Sequence, residues 1–405
     1  AMENQRLYIA MVGLPARGKS TIATKLKESL VHESVKARIF NNGDLRRKTI
    51  RENTSYAGFF DSNNSEGVAI REQIALTNME RAQKFLSGTG NVAILDASNI
   101  SRDRRERIQS RLNDHPILFI ECVNNNEEIL SASILRKIDL DEFGHLTREE
   151  AIKGFRERIS SYQSIEEPLE SERNYIRLDS LHNRVIEEEI SDNIPYYEQI
   201  RDFLVTNTVK SLFLIRHGES HYNTEDRIGG DSDLTEKGLA QAVALADYFK
   251  QKRIPLIFTS QKKRTQQTAS PIKEAQEDCT IIPLAEFDEI NSGICECMSY
   301  KRIRAQMPQV YAERRKDKYN YVYPEGEGYA TMQERINRGI KKALYLSNPS
   351  DNIMIVGHRA VNRMILSHFM FRREEDVPFI YIPQDKFYYI CTTQNKKHFQ
   401  LKKFK

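Results

Sequence analysis

The sequence contains two motifs whose residue types and spacing suit phosphate chemistry. The first, Gly13-Leu-Pro-Ala-Arg-Gly18-Lys19-Ser20, follows an apolar run and opens a segment with helical spacing. Its glycines let main-chain N–H groups approach an anion, the lysine adds positive charge, and the serine hydroxyl can hold Mg²⁺. This pattern predicts a nucleoside-triphosphate site formed by Gly13, Gly18, Lys19, Ser20 and Thr21.

The second motif, Leu214-Ile-Arg216-His217-Gly218-Glu-Ser220, also ends an apolar run. A neutral imidazole placed there can attack phosphorus and form a phosphohistidine. A further histidine, in Ile355-Val-Gly357-His358-Arg359, has the same kind of setting. We expect His217 to be the nucleophile, with Arg216, Arg264 and His358 around the phosphate and Glu289 as general acid.

A carboxylate ends another apolar run, Val92-Ala-Ile-Leu-Asp96. Asp96 could orient Mg²⁺ or activate an acceptor hydroxyl, although an aspartate in this position is also a common helix cap. Arginines form bidentate pairs with phosphate oxygens, which makes Arg46, Arg47 and Arg71 candidates for binding an acceptor phosphate. Exposed arginines on helices explain the same spacing equally well.

Apolar runs of strand length alternate with polar segments of helix length along the chain. Strands are expected at 7–12, 37–41, 92–96, 117–121, 212–215, 256–259 and 353–356. This alternation predicts parallel βαβ units, with ligands at the carboxyl ends of the strands. A chain of 405 residues favours two domains, which we place at 1–207 and 208–405.

Composition narrows the functional classes. The 61 basic and 57 acidic residues are mixed along the chain, and there is no tryptophan, so a nucleic-acid groove is not expected. The apolar runs are too short for a membrane span. Five scattered cysteines and the absence of a signal-peptide core favour a reduced, cytoplasmic setting.

Taken together, the two halves resemble the bifunctional 6-phosphofructo-2-kinase/fructose-2,6-bisphosphatase family. Beside the two phosphate motifs, the resemblance rests on Asn42-Gly-Asp-Leu-Arg-Arg47, Asp96-Ala-Ser-Asn-Ile-Ser-Arg-Asp-Arg-Arg105, Arg227-Ile-Gly-Gly-Asp231, Thr259-Ser-Gln-Lys-Lys-Arg-Thr265 and Glu289-Ile-Asn-Ser-Gly293. It covers nearly the whole chain. The first half is also similar to adenylate-kinase-like P-loop proteins, and the second to phosphoglycerate-mutase-like histidine phosphatases.

The resemblance implies an α/β protein in which a P-loop kinase domain precedes a histidine-phosphatase α/β sandwich. The kinase would transfer the ATP γ-phosphate to O2 of fructose 6-phosphate, and the phosphatase would remove that phosphate. Substrate contacts would come from Asn223 and Tyr300 in the phosphatase and from Arg46, Arg71 and Arg102 in the kinase. Ser20 and Asp96 would serve Mg²⁺, and a homodimer through the kinase domain is expected.

Three stretches depart from the family pattern. Tyr321-Val322-Tyr323-Pro324-Glu325 has valine where the arginine for the sugar 6-phosphate is expected, and Glu325 adds negative charge. The kinase lysine aligns with Ile138, so Lys137 would be rotated about 100° around a helix. The aromatic-rich stretch near Tyr162 is also altered.

These departures keep an alternative open, in which the second half hydrolyses another small phosphoester and the first only binds nucleotide. A nucleic-acid end-healing kinase-phosphatase would share the P-loop but needs a basic groove with aromatics. A catalytically silent regulatory protein would not need the complete set around His217.

Overall fold

The computed structural model describes residues 5–50, 57–60, 63–138, 147–206, 208–348, 351–370, 373–393 and 397–405. The chain folds into two compact units, residues 1–207 and residues 208–405. Each unit is built on its own six-stranded mixed sheet. The predicted α/β class is confirmed for both units.

The sheet of the first unit has five parallel strands and one antiparallel edge strand. The strands are β1 (Leu7–Val12), β2 (Ala37–Asn41), β3 (Val92–Asp96), β4 (Ile117–Val123), β5 (Asn174–Asp179) and β6 (Arg184–Ile190). Their order is β2-β3-β1-β4-β5-β6, with β6 antiparallel to β5. All four strands predicted in this half are confirmed.

Seven helices are described in this unit. They are α1 (Lys19–His32), α2 (Asn42–Thr49), α3 (Ser65–Ser87), α4 (Arg102–Arg111), α5 (Glu127–Ile138), α6 (Arg148–Gln163) and α7 (Tyr197–Val205). A short 3-10 helix spans Ala57–Phe60. The helical spacing after the P-loop is confirmed, because the buried residues of α1 are Ile22, Ala23, Leu26 and Leu30.

Strand β1 runs through the centre of this unit's core. Leu7, Ile9 and Met11 belong to the apolar cluster on one face of the sheet. The alternate residues Tyr8, Ala10 and Val12 belong to the cluster on the other face. A parallel sheet covered on both faces requires such an apolar strand, and its carboxyl edge is where loops collect ligands.

The sheet of the second unit has five strands that run in one direction and one that runs in the other. The strands are β7 (Val209–Arg216), β8 (Leu256–Thr259), β9 (Thr280–Pro283), β10 (Ile353–Gly357), β11 (Lys386–Thr392) and β12 (Lys397–Lys403). Their order is β12-β11-β7-β10-β8-β9, and β11 pairs antiparallel with both β7 and β12. β7 and β10 are adjacent and parallel, so their carboxyl ends meet.

The helices of the second unit follow its strands and loops. They are α8 (His221–Thr224), α9 (Glu236–Phe249), α10 (Lys263–Glu274), α11 (Tyr300–Gln306), α12 (Pro308–Lys316), α13 (Tyr329–Leu346) and α14 (Arg359–Phe369). A 3-10 helix spans Glu374–Phe379. Within the described ranges, no helix has both the length and the apolar composition to cross a bilayer.

The sequence after Asp233 predicts a helix with Thr235 as its N-cap and Leu239 among its apolar positions; helix α9 confirms the cap and corrects the position. Thr235 caps its first turn by accepting from the N–H of Gly238. Leu239, expected on the apolar face, is 48% exposed. The packed side of the first turn is at Gly238 instead, where an added Cβ would lie 2.1 Å from the carbonyl oxygen of Glu219. The buried residues of α9 are Gly238, Ala242, Leu245, Ala246 and Phe249, so Leu239 lies off the buried face.

Candidate active sites

The loop between β1 and α1 has the conformation that a phosphate-binding loop requires. Gly18, the N-cap of α1, has φ +85°, and Gly13 has φ +147°. A Cβ added to Gly13 would lie 2.7 Å from the carbonyl oxygen of Cys122. Glycine is therefore required at both positions, and the N-terminus of α1 faces the loop with its unpaired N–H groups.

Ser20 and Asp96 come together beside this loop. Ser20 Oγ donates to Asp96 Oδ2 over 2.8 Å, and Asn41 Nδ2 donates to the same oxygen over 2.8 Å. Asp96 is 3% exposed, whereas the N-cap of the following helix is Ser101. Asp96 is thus not a helix cap. Two oxygen ligands at the end of a phosphate loop fit a magnesium ion.

Lys19 lies among other charged groups in this pocket, with Thr21 following in the first turn of α1. Its Nζ donates to the carbonyl of Leu14 over 2.8 Å. Burial lowers the pKa of Lys19 to about 8; Asp96 opposes that shift, and the charges of Lys137 and Arg158 add to it. The pocket is therefore strongly cationic before any phosphate enters.

A second group of cations in this unit surrounds the ring of Phe60. The guanidinium carbons of Arg46, Arg71 and Arg158 lie 4.9, 5.8 and 3.9 Å from the ring centroid. Arg71 Nη1 is buried without a hydrogen-bond partner among the described residues. Since Arg158 also acts on Lys19, this group adjoins the phosphate loop. Sequence reasoning identified Arg46 and Arg71 but missed Arg158.

Two other predicted arginines lie outside this group. Arg102 Nη2 is 3.4 Å from Glu170 Oε2, and its side chain is 44% exposed. Arg47 pairs with Asp44 on the surface of α2. Their guanidinium groups are engaged by carboxylates rather than gathered at Phe60.

In the second unit, His217 follows β7 and is 4% exposed. Its Nδ1 lies 2.7 Å from the carbonyl oxygen of Gly218, which can only accept a hydrogen bond. Nδ1 therefore carries the proton, and Nε2 keeps its lone pair. Burial, together with the charges of Arg264 and Arg216, holds the pKa of His217 well below its usual range. The ring is neutral and suited to act as a nucleophile.

His358 follows β10 and lies beside His217, with ring centroids 5.2 Å apart. Its Nε2 is 2.8 Å from Ser260 Oγ. Its Nδ1 is buried and has no hydrogen-bond partner in the described part of the chain. An unpaired buried nitrogen beside a nucleophile is suited to contact an oxygen of the substrate.

Two arginines flank the histidine pair. Arg216 Nη1 donates to the carbonyl of Ile382, and Arg264 Nη1 donates to that of Gly230. Burial lowers the pKa of Arg216 to about 10, with Arg359 contributing, while Glu289 raises it. Both arginines remain charged at neutral pH, so the site presents positive charge to a phosphoryl group.

The carboxylate of Glu289 faces the N-terminus of α14. Its two oxygens accept from the N–H groups of Ala360 and Val361, each over 3.3 Å. The loop that carries it is held by Arg335, which pairs with Glu327 and donates to the carbonyl of Glu289. Glu289 is thus fixed beside the helix that begins directly after His358.

Asn223 and Tyr300 complete the predicted set. Asn223 Oδ1 accepts from Ser220 N over 2.9 Å and from Gln384 Nε2 over 3.0 Å. Tyr300 Oη accepts from Arg359 Nη2 over 2.9 Å. The structure thus places the predicted phosphatase residues around one centre, and it adds Gln384 and Arg359, which the sequence did not single out.

Comparison with known proteins finds one family model for the first half of the chain and another for the second. The family model described as 6-phosphofructo-2-kinase matches residues 1–213, and the one described as histidine phosphatase superfamily (branch 1) matches residues 212–404. This chain is 33% identical to 6-phosphofructo-2-kinase/fructose-2,6-bisphosphatase 1 of Rattus norvegicus over 392 residues. The alignment covers 94% of this chain and 80% of that relative. The chain belongs to the 6-phosphofructo-2-kinase/fructose-2,6-bisphosphatase family.

Other relatives and structures are also similar to this family member. The human protein named 6-phosphofructo-2-kinase/fructose-2,6-bisphosphatase 4 is 33% identical over 94% of this chain and 81% of its own length. Among solved structures, alpha-ribazole phosphatase from Shigella flexneri aligns over 47% of this chain and 95% of its own, with a TM-score of 0.44 and 22% identity.

The sequence places Val322 where the family pattern has an arginine for the sugar phosphate, and Val322 is 43% exposed. Other cations lie near this stretch: burial and the charges of Arg314, Arg363 and Arg359 lower the pKa of Lys318 to about 7. Weaker substrate binding caused by Val322 stays a prediction.

The structure also locates the other two departures from the family pattern, at Lys137 and Ile138 and near Tyr162. Ile138 is buried in an apolar cluster of α5 and α6, while the charge of Lys137 acts on Lys19. The register of α5 thus turns Lys137, rather than Ile138, toward the phosphate loop. Tyr162 packs near Phe60, with ring centroids 6.1 Å apart, so this tyrosine lies at the arginine group.

Proposed function

We propose that this chain both makes and hydrolyses fructose 2,6-bisphosphate, one reaction in each unit. The observation that carries the phosphatase assignment is the hydrogen bond from His217 Nδ1 to the carbonyl of Gly218, which leaves Nε2 free to attack phosphorus. The kinase assignment follows from the phosphate loop together with the contact between Ser20 and Asp96. Family membership supports both reactions.

In the phosphatase, His217 Nε2 would attack the 2-phosphate while Glu289 gives a proton to the leaving sugar oxygen. Arg216, Arg264, Asn223 and the Nδ1 group of His358 would hold the phosphoryl oxygens. Water would then attack the phosphohistidine and pass its proton to Glu289, which releases phosphate and restores both groups. Burial and the charges of Arg264 and Arg216, which hold the pKa of His217 well below its usual range, keep the nucleophile neutral before attack.

The group of Lys318, Arg363 and Arg359 would bind the second phosphate of the substrate. Arg359 and Arg363 are close enough to Arg216 to lower its pKa, so the two cationic groups adjoin. Tyr300 would take part through its hydrogen bond to Arg359. Two adjoining groups of cations favour a bisphosphate over a monoester.

In the kinase, Lys19 and the main chain of Gly13, Gly18, Ser20 and Thr21 would bind the ATP phosphates. Ser20 and Asp96 would hold Mg²⁺, which when bound neutralises charge between the β- and γ-phosphates. Arg46, Arg71 and Arg158 would bind the phosphate of the acceptor sugar. Arg102 remains a candidate for that phosphate only if its contact with Glu170 breaks.

We also propose a homodimer through the kinase unit and a cytoplasmic location. Strand β6 is one of the two edge strands of its sheet, and Ile186 on it is 51% exposed. All five cysteines are free thiols, which suits a reducing compartment. Light scattering of the purified protein would test the dimer.

The decisive experiment compares phosphate release from fructose 2,6-bisphosphate by the wild type and by His217→Ala. Release in the wild type and none in the variant supports the assignment. A folded wild type that releases nothing, but hydrolyses other phosphoesters through His217, would favour the alternative, a phosphatase for another small phosphoester. Sugar-dependent ATP turnover, measured in the same samples, tests the kinase.

A further inference from the structure

One segment of the second unit, residues 378–382, holds several of the cationic side chains that would contact phosphate. Lys318 Nζ donates to the carbonyl of Pro378, and Arg363 Nε donates to that of Ile380. Arg216 Nη1 donates to the carbonyl of Ile382, two residues further on. Alternate carbonyls of the segment 378–382 therefore fix three cations that lie at the catalytic centre.

Gln384 continues this segment and acts through its side chain. Its Nε2 donates to the carbonyl of His217 over 3.2 Å and to Asn223 Oδ1 over 3.0 Å. The side chain thus bridges the main chain of the nucleophile and a residue expected to bind the phosphoryl group.

The orientation of both amides follows from main-chain groups. Ser220 N–H can only donate, so the Asn223 atom that it contacts must be the oxygen. The carbonyl of His217 can only accept, so the Gln384 atom that it contacts must be the NH₂ group. With Oδ1 accepting two hydrogen bonds, Asn223 presents its Nδ2 donor elsewhere.

We propose that Gln384 is a positioning residue for the phosphatase. It holds the Asn223 amide so that Nδ2 faces the phosphoryl group, and it secures the main chain at His217. This rests on the proposed reaction at His217. A group at position 384 that could only accept would face two acceptors, the carbonyl of His217 and Asn223 Oδ1. Of the two, only the Asn223 amide can turn, and turning would bring its oxygen toward phosphate.

The test is a double-mutant cycle of Gln384→Leu and Asn223→Ala, read as kcat/KM. In the otherwise unchanged protein, Gln384→Leu should lower kcat/KM about 5–10-fold, because a hydrogen bond that positions Asn223 is lost. In the Asn223→Ala background the same change should cost only about twofold, because the part of its effect that passes through Asn223 is already lost and only the bond to the carbonyl of His217 remains. Gln309→Leu, at an exposed glutamine of α12, is the matched control.

The isosteric variant Gln384→Glu adds a readout that a packing role would not move. Its carboxylate can only accept, and it faces an acceptor at each contact, so activity relative to the wild type should fall by more than about tenfold at pH 8. The activity of Gln384→Glu relative to the wild type should rise toward acidic pH, because the carboxyl then gains a proton that it can donate. Equal losses for Gln384→Leu in both backgrounds, or wild-type activity of Gln384→Glu at pH 8, would overturn the proposal.

Two arrangements keep the test decisive. If thermal melting shows that Gln384→Leu does not fold, Gln384→Met takes its place in the cycle. All variants are assayed on p-nitrophenyl phosphate as well as on fructose 2,6-bisphosphate. A wild type active on the first substrate alone would refute the proposed substrate, and the comparison at Gln384 would still give its answer.

Discussion

Ser260 Oγ lies 2.8 Å from His358 Nε2, and this contact holds the ring of His358 beside His217. Ser260 Oγ also accepts from the N–H of Lys262 and lies 2.8 Å from Thr265 Oγ1. The hydroxyl is therefore fixed by its own neighbours before it meets the histidine. With Nε2 engaged by Ser260, the buried Nδ1 is the ring nitrogen left without a partner among the described residues.

Replacing Ser260 should impair the phosphatase through the orientation of His358. We expect Ser260→Ala to lower kcat/KM about tenfold, because the hydrogen bond that holds the His358 ring from its Nε2 side is lost. Steady-state hydrolysis is the measurement, with ATP affinity as an internal check on the other unit. Ser211→Ala, which removes a hydroxyl bonded to Asn352, is the matched control. Equal activity of the two variants would contradict the assigned role.

The pKa of Lys318 predicts a pH dependence of substrate binding. Since burial and neighbouring cations lower this pKa to about 7, the ammonium loses its proton as pH rises through 7. KM for a bisphosphate should therefore rise as the pH is raised from mildly acidic to mildly basic. Arginine keeps its charge over this range, so Lys318→Arg should show a flatter profile. The comparison with Lys318→Arg removes the titration of the substrate itself, and parallel profiles would disprove the effect.

Arg158, which the sequence did not single out, should contribute to binding of the sugar phosphate by the kinase. We expect Arg158→Met to raise KM for the sugar phosphate more than about tenfold, because a charge-assisted contact is worth about 1.5–3 kcal/mol. KM for ATP should change less. Arg156→Met is the matched control on α6, since Arg156 pairs with the exposed Glu127. Similar KM values for the two variants would remove Arg158 from the site.

The sequence predicts the parts of both sites that lie at strand ends. His217, His358 and Asp96 each follow or end a buried strand, and a parallel sheet brings such ends to one edge. Side chains delivered by loops and helix faces could not be found in this way. Lys318 and Gln384 reach the site from segments without a periodic pattern, so only the tertiary fold brings them in.

The rotation of a residue around its helix is a second feature that the sequence alone did not determine. Whether Lys137 or Ile138 faces the phosphate loop depends on one step of about 100° around α5. The sequence alone does not settle that step. Packing does, because Ile138 is buried among the apolar residues of α5 and α6. Similarly, Arg363 lies one turn after Arg359 on α14, a spacing that would have indicated a shared face.

Binding of ATP should be accompanied by proton uptake at Lys19. Burial lowers the pKa of Lys19 to about 8, so at pH 8 roughly half of the molecules carry the neutral amine. Phosphates beside Nζ favour the charged form and raise this pKa, so binding should take up about half a proton. Calorimetry in buffers of different ionisation enthalpy measures this number. Lys25, whose pKa burial also lowers to about 8, bonds to the carbonyl of Thr206 instead. Lys25→Arg should therefore leave the uptake unchanged, and its loss in that variant would show that the proton belongs to Lys25.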